Sequence, residues 1–306
     1  MRHAFIKTRY AFAHLVATGL VAFGLPAAAP LATAQESPRE ILEKVEDALR
    51  STSDSAFNRI QLSSCQFGIR DNQITCAERA RIKALESVGV NFGTDNKDTK
   101  SVAIVLEPPA ERGIGMLSIT YDDATQDNET WLYLSALGTV KRIASGNSDD
   151  DTEPASLFGS EFTTEDQDTG KLDEYTLTLL EETTEGGREV WKIESIPSEA
   201  RARKTRYARI VQYIDKERYV ALRADMYDEH GREIKRLLAS RVELVNAVWV
   251  ARSLTMMNLV SNRLSNMAIL EINTGIDVPE DFLSQRTLTD VAFRETELQK
   301  LRAQID

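Results

Sequence analysis

Few residues in this chain are equipped for chemistry. Of its three histidines, His3 and His14 lie in an apolar leader, which leaves His230 in the turn Asp228-Glu229-His230-Gly231. A lone histidine in a turn reads as a solvated side chain, and Ser- or Cys-based triads need a histidine held by partners. Gly113-Ile114-Gly115 lacks the third glycine and the following helix of a dinucleotide loop, and no phosphate-binding P-loop is present. Glu161, Glu165 and Asp166 fall close together in SEFTTED. Two such carboxylates could run glycoside hydrolysis, but they serve equally to cap a helix or to latch a flap. The acidic run Asp149-Asp150-Asp151-Thr152-Glu153 lacks the alternating ligands and glycine of a calcium loop. No catalytic residue, metal site or cofactor is expected, and the chain does not read as an enzyme.

Cys65 and Cys76 are the only cysteines. They bracket FGIRDNQIT, whose Arg70-Asp71-Asn72-Gln73 reads as a hairpin turn. In an exported chain the pair is expected to form a disulfide, and closing so short a loop stabilises by roughly 2–3 kcal/mol. The basic cluster Arg201, Arg203, Lys204, Arg206 and Arg209 reads as exposed loop and outward strand positions, or as a patch for lipid phosphates or an acidic docking face.

The first 34 residues read as an export signal. Arg2, Lys7 and Arg9 precede an apolar stretch, Ala11–Leu25, which Pro26 ends. Ala32-Thr33-Ala34 then offers the small residues of a cleavage site before Gln35. No cysteine follows closely enough for a lipid anchor, and no later run is long enough to span a bilayer. Loss of the three basic leader residues takes the net charge from −11 to −14. That balance speaks against nucleic acid as a partner and against more than transient membrane contact. A soluble periplasmic protein is expected, with residues 35–306 as a single domain.

The remaining pattern is almost entirely strand. Pro38–Arg50 is the exception, with Ile41, Leu42, Val45 and Leu49 on one helical stripe and Ser37 as its cap. Short runs follow near Phe57–Leu62, Arg81–Val88, Ser101–Leu106, Met116–Tyr121, Thr130–Leu134 and Thr139–Ile143. After a break come Glu174–Leu180, Glu189–Ile196, Arg206–Ile214, Tyr219–Tyr227, Glu233–Val245, Val248–Met257 and Leu264–Ile272. Short turns between them imply antiparallel neighbours, and the absence of βαβ alternation disfavours a parallel sheet. A helical tail occupies 289–306. So large a meander cannot stay flat, and it is expected to curl into an incomplete, half-open β-barrel.

The most telling words are TWLYLSALGTVKRI, from Thr130 to Ile143, and SLFGSEFTTED, from Ser156 to Asp166. The first is a hairpin apolar on both faces. The second gathers Leu157, Phe158 and Phe162 around Gly159 with no strand period, so it must lie on something. Together they resemble the WLYLPALRRVRRI-like hairpin and GSDFTYEDL-like segment of the outer-membrane lipoprotein-sorting family, the LolA-like periplasmic carriers. LEPPAERGIGMLSITYDD, DEYTLTLL, YARIVQYID, ADMYDEHG and MMNLVSNRLSNM extend the resemblance over about Ser101 to Leu288. Ser135 stands where that family usually has proline, and the cysteine segment Ser63–Ala80 and the terminal helix look like additions. The resemblance implies an open antiparallel barrel closed by helices and a loop, lipid or lipoprotein acyl chains as cargo, and an inner-membrane transporter of the resistance-nodulation-division (RND) type as partner.

Aromatic and methionine side chains suit a hollow that must adapt to acyl chains. The candidate ligand-binding residues are Trp131, Tyr133, Phe158, Phe162, Trp191, Met226 and Met256, with Phe158 and Phe162 on a movable lid. Arg142, Glu161 and Asp166 are the candidate latch. The expected function is a periplasmic carrier or chaperone for outer-membrane biogenesis. A protein-binding module using an open sheet edge is the second reading, and a hydrolase using the flap carboxylates is the third. Intact mass of the exported protein should give an N-terminus at or near Gln35 in the soluble periplasmic fraction; leader retained in the membrane pellet refutes the export reading.

Overall fold

The computed structural model describes residues 36–50, 54–71, 73–123, 125–143 and 154–305. The export signal and the acidic run at 149–153 lie outside the described residues. Glu36–Asp306 forms one compact unit.

Helix α1 (Pro38–Arg50) forms where the stripe predicts it. Ser37 and Glu40 cap it reciprocally, the Glu40 amide donating to Ser37 Oγ and the Ser37 amide to Glu40 Oε2. Strands β1 (Ser55–Arg70), β2 (Gln73–Cys76), β3 (Arg81–Phe92), β4 (Asp98–Glu107), β5 (Gly115–Thr120), β6 (Glu129–Leu134) and β7 (Thr139–Ile143) make the first half of the sheet. A short helix, α2 (Thr164–Gln167), follows in the flap. Then come β8 (Tyr175–Glu185), β9 (Arg188–Pro197), α3 (Glu199–Ala202), β10 (Arg209–Asp215), β11 (Ala221–Tyr227), β12 (Glu233–Val245), β13 (Val248–Asn258) and β14 (Arg263–Thr274). Two helices, α4 (Gln285–Thr289) and α5 (Val291–Arg302), end the chain.

All pairings are antiparallel within one 14-stranded sheet of order β7-β6-β5-β4-β3-β1-β14-β13-β12-β11-β10-β9-β8, with β2 added to the end of β1. Neighbours in sequence are neighbours in space except at one seam, where β1 pairs with β14 from Ala56↔Thr274 to Gln66↔Arg263. The sheet is not closed into a barrel: β7 and β8 are its two edges, and the flap, described over residues 154–174, belongs to the chain that joins them. Glu181, Glu182 and Glu185 on β8, with Lys141 and Arg142 on β7, guard those edges against further pairing. The sheet curls, because α1 touches both β8 and β13 although four strands lie between them.

The two faces have separate cores. Phe57, Val102, Ile104 and Leu117 pack on one face against Phe282, Leu288, Leu298 and Leu301 of the C-terminal segment. Gly115 permits this approach: a Cβ there would lie 2.6 Å from Ile104 Cδ1 and 2.8 Å from Leu288 Cδ2. Arg302 then forks onto the buried Glu86 of β3, tying α5 to the sheet. On the other face, Ile41, Leu42 and Val45 of α1 cover Trp191, Ile193 and Ile214, and the flap covers the middle strands.

The first strand runs much further than the apolar run Phe57–Leu62, to Arg70. Ser63 and Ser64 give no apolar signal, yet they pair in register with Asn266 and Ser265. Cys65 and Cys76 are bridged, Cα–Cα 5.7 Å, across the β1–β2 hairpin. The terminal helix begins at Val291, two residues after the expected start at 289, with Asp290 Oδ1 accepting from the Phe293 amide as its cap.

Asp215, fully buried at the β10–β11 turn, accepts from Arg188 Nε at 2.8 Å, Arg188 Nη2 at 3.1 Å and the Glu217 and Arg218 amides. Burial alone would raise its pKa, but these donors hold it below the ordinary carboxylate value of 3.8. A depressed folded pKa gives stability that is present above the unfolded value and lost as pH falls through the folded one. Asp215→Asn should therefore lower Tm at neutral pH and flatten its fall below about pH 4; an acid limb identical to wild type counts against the assignment.

Candidate functional site

The flap is shaped by its own short sequence. Ser156 and Thr163 form an isolated antiparallel bridge, and the Leu157 amide donates to the Phe162 carbonyl at 2.8 Å. Phe158 and Gly159 both take the left-handed region, at φ 52° and 69°, so the chain reverses within this loop. Ser160 Oγ donates back to the Leu157 carbonyl and Ser156 Oγ to the Ser160 carbonyl. The result points Leu157, Phe158 and Phe162 into an apolar cluster with Leu62, Met226 and Met256 of the sheet.

Charge fastens the flap at both ends. Asp166 Oδ2 accepts from Lys235 Nζ at 2.7 Å and from the Thr163 amide at 2.7 Å, while Oδ1 accepts from the Tyr207 hydroxyl at 2.6 Å. Both side chains of the Asp166–Lys235 pair are buried. Burial, then the neighbouring Asp166 and Glu165 charges, push the Tyr207 pKa far up, so its hydroxyl remains a donor. Glu165 accepts from Thr205 Oγ1 at 2.6 Å and from Arg206. Glu161 accepts from Arg263 Nε and Asn258 Nδ2, each at 3.1 Å, and its amide donates to Ser265 Oγ. At the loop tip Lys83 Nζ donates to the Phe158 carbonyl and to Glu111.

Arg142 is not brought to the flap. It pairs across β6–β7 with Trp131 and lies 3.8 Å from Glu129, on the opposite face of the sheet. The flap's partners are instead Lys235, Tyr207 and Arg263. Of the basic cluster, Arg203 and Lys204 are exposed and Arg206 and Arg209 half-exposed, as expected, while Arg201 is buried. Arg201 is buried against Asp168 and Tyr175, Lys204 pairs with Asp127, Arg206 with Glu165 and Arg209 with Glu194. Each carboxylate of SEFTTED is held by a cation or by several donors. Among the described residues no group of three or more His, Cys, Asp or Glu side chains is placed to hold a metal ion.

Beside the flap lies a cavity of about 340 Å³, floored by β1, β3, β4 and β5. Ile60, Leu62, Leu85, Met116 and Met267 line it with Leu157 and Phe158 of the flap. Ala103 contributes a small side chain at mid-floor, and Asn58, Ser87, Asn91, Thr99 and Ser101 line its other end. Of the candidate ligand-binding residues, Phe158 lines this cavity, and Phe162, Met226 and Met256 pack in the cluster beside it. Trp131 and Tyr133 sit on the opposite face with the C-terminal helices, because they alternate with Leu132, which faces the flap. Trp191 packs in the α1 cluster, with its ring 5.5 Å from that of Tyr219. Sequence reasoning passed over Lys235, Tyr207 and Met116.

The model of a family described as "Uncharacterized protein" matches residues 97–290. The chain belongs to that family. No curated protein matches its sequence. Among solved structures it is similar to a DUF1329 family protein from Desulfovibrio piger, at 22% identity and TM-score 0.68, over 82% of this chain and 97% of that one. A candidate outer membrane lipoprotein-sorting protein domain from Vibrio parahaemolyticus matches at 20% identity and TM-score 0.68 over the same shares. A LolA superfamily protein from Nitrosomonas europaea matches at 13% identity and TM-score 0.56, over 82% and 98%. The chain thus shares its fold with these three proteins, one of them a LolA superfamily protein. Among the described residues no helix is long and apolar enough to cross a membrane.

Removing one partner of a buried ion pair leaves an uncompensated charge, at a cost of about 3–5 kcal/mol. Lys235→Met should show that loss in urea unfolding, and Tyr207→Phe a smaller one of about 1.5–3 kcal/mol for a hydrogen bond to a charged group. Wild-type stability in Lys235→Met would mean that the Asp166 anchor does not hold the flap.

Proposed function

We propose that the protein is a periplasmic carrier that holds the apolar chain of a lipid or lipid-modified cargo in the hollow under the flap. The observation that carries this reading is the 340 Å³ cavity on the flap-covered face of an open sheet. Its volume falls in the range of small-molecule sites, and its methionines adapt to flexible chains. Ten buried methylenes would contribute about 8 kcal/mol before the cost of association. The LolA-superfamily fold supports the same reading, since lipoprotein sorting is the role stated for one neighbour. In this reading the chain is exported after cleavage behind Ala34, takes cargo from an RND-type transporter of the inner membrane and passes it toward the outer membrane. Phe158 and Phe162 act as the lid, with the Asp166–Lys235 pair as its fixed end. The charged edges of β7 and β8 favour cargo in the hollow over a peptide added to the sheet edge.

Phe158→Ala should weaken binding of the apolar probe N-phenylnaphthylamine about tenfold or more, since roughly 1.5–3 kcal/mol of apolar contact goes with the ring. Its Tm loss should be smaller than that of Met256→Ala, a core truncation worth about 2–5 kcal/mol. Ala103→Trp, which fills the floor of the cavity, should abolish binding with the fold intact. Unchanged affinity in both cavity variants would sink the carrier reading. Native mass spectrometry of protein from its own periplasm should show bound lipid mass.

A further inference from the structure

The floor of the cavity is graded along its strands. Register places Ile60 beside Leu85 and Leu85 beside Val105 at the end nearest the flap. One step outward, Asn58 stands beside Ser87 and donates to its hydroxyl at 3.3 Å. The next row is Gly89, Ser101 and Ser118, and the outermost pairs Asn91 with Thr99. Because strand side chains alternate, all of these share the cavity face. Ser118 Oγ is buried and has no hydrogen-bond partner. The polar half is therefore built of hydroxyls and amides on small side chains, with room left by Gly89.

Among the described residues no Asp, Glu or Arg lines the cavity, and Lys100 is the one basic residue among those that do. Lys100 is out of phase with Ser101 and Ala103, and it is its carbonyl that lies 3.5 Å from a Cβ built on Gly89. Beyond the polar rows the strands end among carboxylates: Asp95 and Asp98 at the β3–β4 turn, Asp54 hydrogen-bonded to Asn96, and Asp122, whose amide donates to Asp98. Lys97 lies 3.9 Å from Asp122, and Lys171 donates to the Tyr121 carbonyl.

We infer that the ligand is an amphiphile whose head group is uncharged and rich in hydroxyl, ester or amide groups, in the manner of a monoacylglycerol, and that the site selects against fatty acids and anionic phospholipids. The inference rests on the carrier reading and narrows it. An anionic head would lie in the polar rows with hydroxyl donors but no cationic side chain in phase with them, and a partly buried charge without a counter-charge is costly. A glycerol head would instead exchange hydrogen bonds with Ser87, Ser101 and Asn58. The chain would run toward Leu85 and Phe158.

The test is competition against N-phenylnaphthylamine bound to the delipidated mature protein, with monolaurin and laurate, which share one chain, at neutral pH. Monolaurin should displace the probe at a concentration about tenfold or more below laurate, as expected for hydrogen bonds made to one head and a desolvation penalty on the other. Ser87→Ala combined with Ser101→Ala should shrink that ratio toward one. Equal or better displacement by laurate overturns the inference while leaving the carrier reading standing, as does a ratio unaltered in the double variant. Failure of the probe and of both lipids to bind overturns the carrier reading and this inference with it.

Discussion

Everything in this fold depends on the pairing of the first strand with the last. β1 is long because it carries two partners, β3 on one side and β14 on the other, and later extends into the disulfide-bridged hairpin with β2. Without that seam the chain would be two separate meanders, each with a flank of unpaired backbone groups. With it, thirteen strands lie in one continuous path, and the two remaining edges are consecutive in sequence. The linker between them then has to pass from one edge of the sheet to the other, and that linker carries the flap.

Curling gives the two faces of the sheet different roles. One face is sealed by residues 276–305, where Phe282, Leu288 and Leu301 are fully buried and Arg302 answers the buried Glu86. The other is covered in pieces, by α1 at one end and by the flap in the middle, and it is there that unfilled volume remains. The division explains why both faces of β4, β5 and β6 are apolar: each has a separate cover to meet.

The anchoring of the flap is electrostatic rather than apolar. A buried ion pair is a poor source of net stability, because desolvating both charges offsets most of their attraction. What Asp166 and Lys235 supply is a unique seat, since either charge left without the other is costly. The Tyr207 hydroxyl and the Thr163 amide fill the remaining lone pairs of Asp166, and this satisfies the whole group. The apolar tip at Phe158 has no such charge of its own. It is held by packing and by the Lys83 bond to its carbonyl, so fixed end and cover differ in kind.

Local sequence determined the elements whose signal is periodic or covalent. The α1 stripe, the order of nearly all strands, the β1–β2 turn with its disulfide and the flap as a non-strand apolar loop were all legible, because spacing and turn chemistry act over a few residues. The tertiary structure decided what depends on distant partners. A strand apolar on both sides cannot declare which side meets the hollow, so Trp131 and Tyr133 belong to the sealed face and Leu132 to the flap's. Ion-pair partners are likewise set by register and not by proximity in sequence. Arg142 faces away from the flap, whereas Lys235, 69 residues from Asp166, closes it. The polar end of the cavity was hidden for the same reason: Asn58, Ser87 and Ser101 come from three strands, and only their pairing makes them one surface.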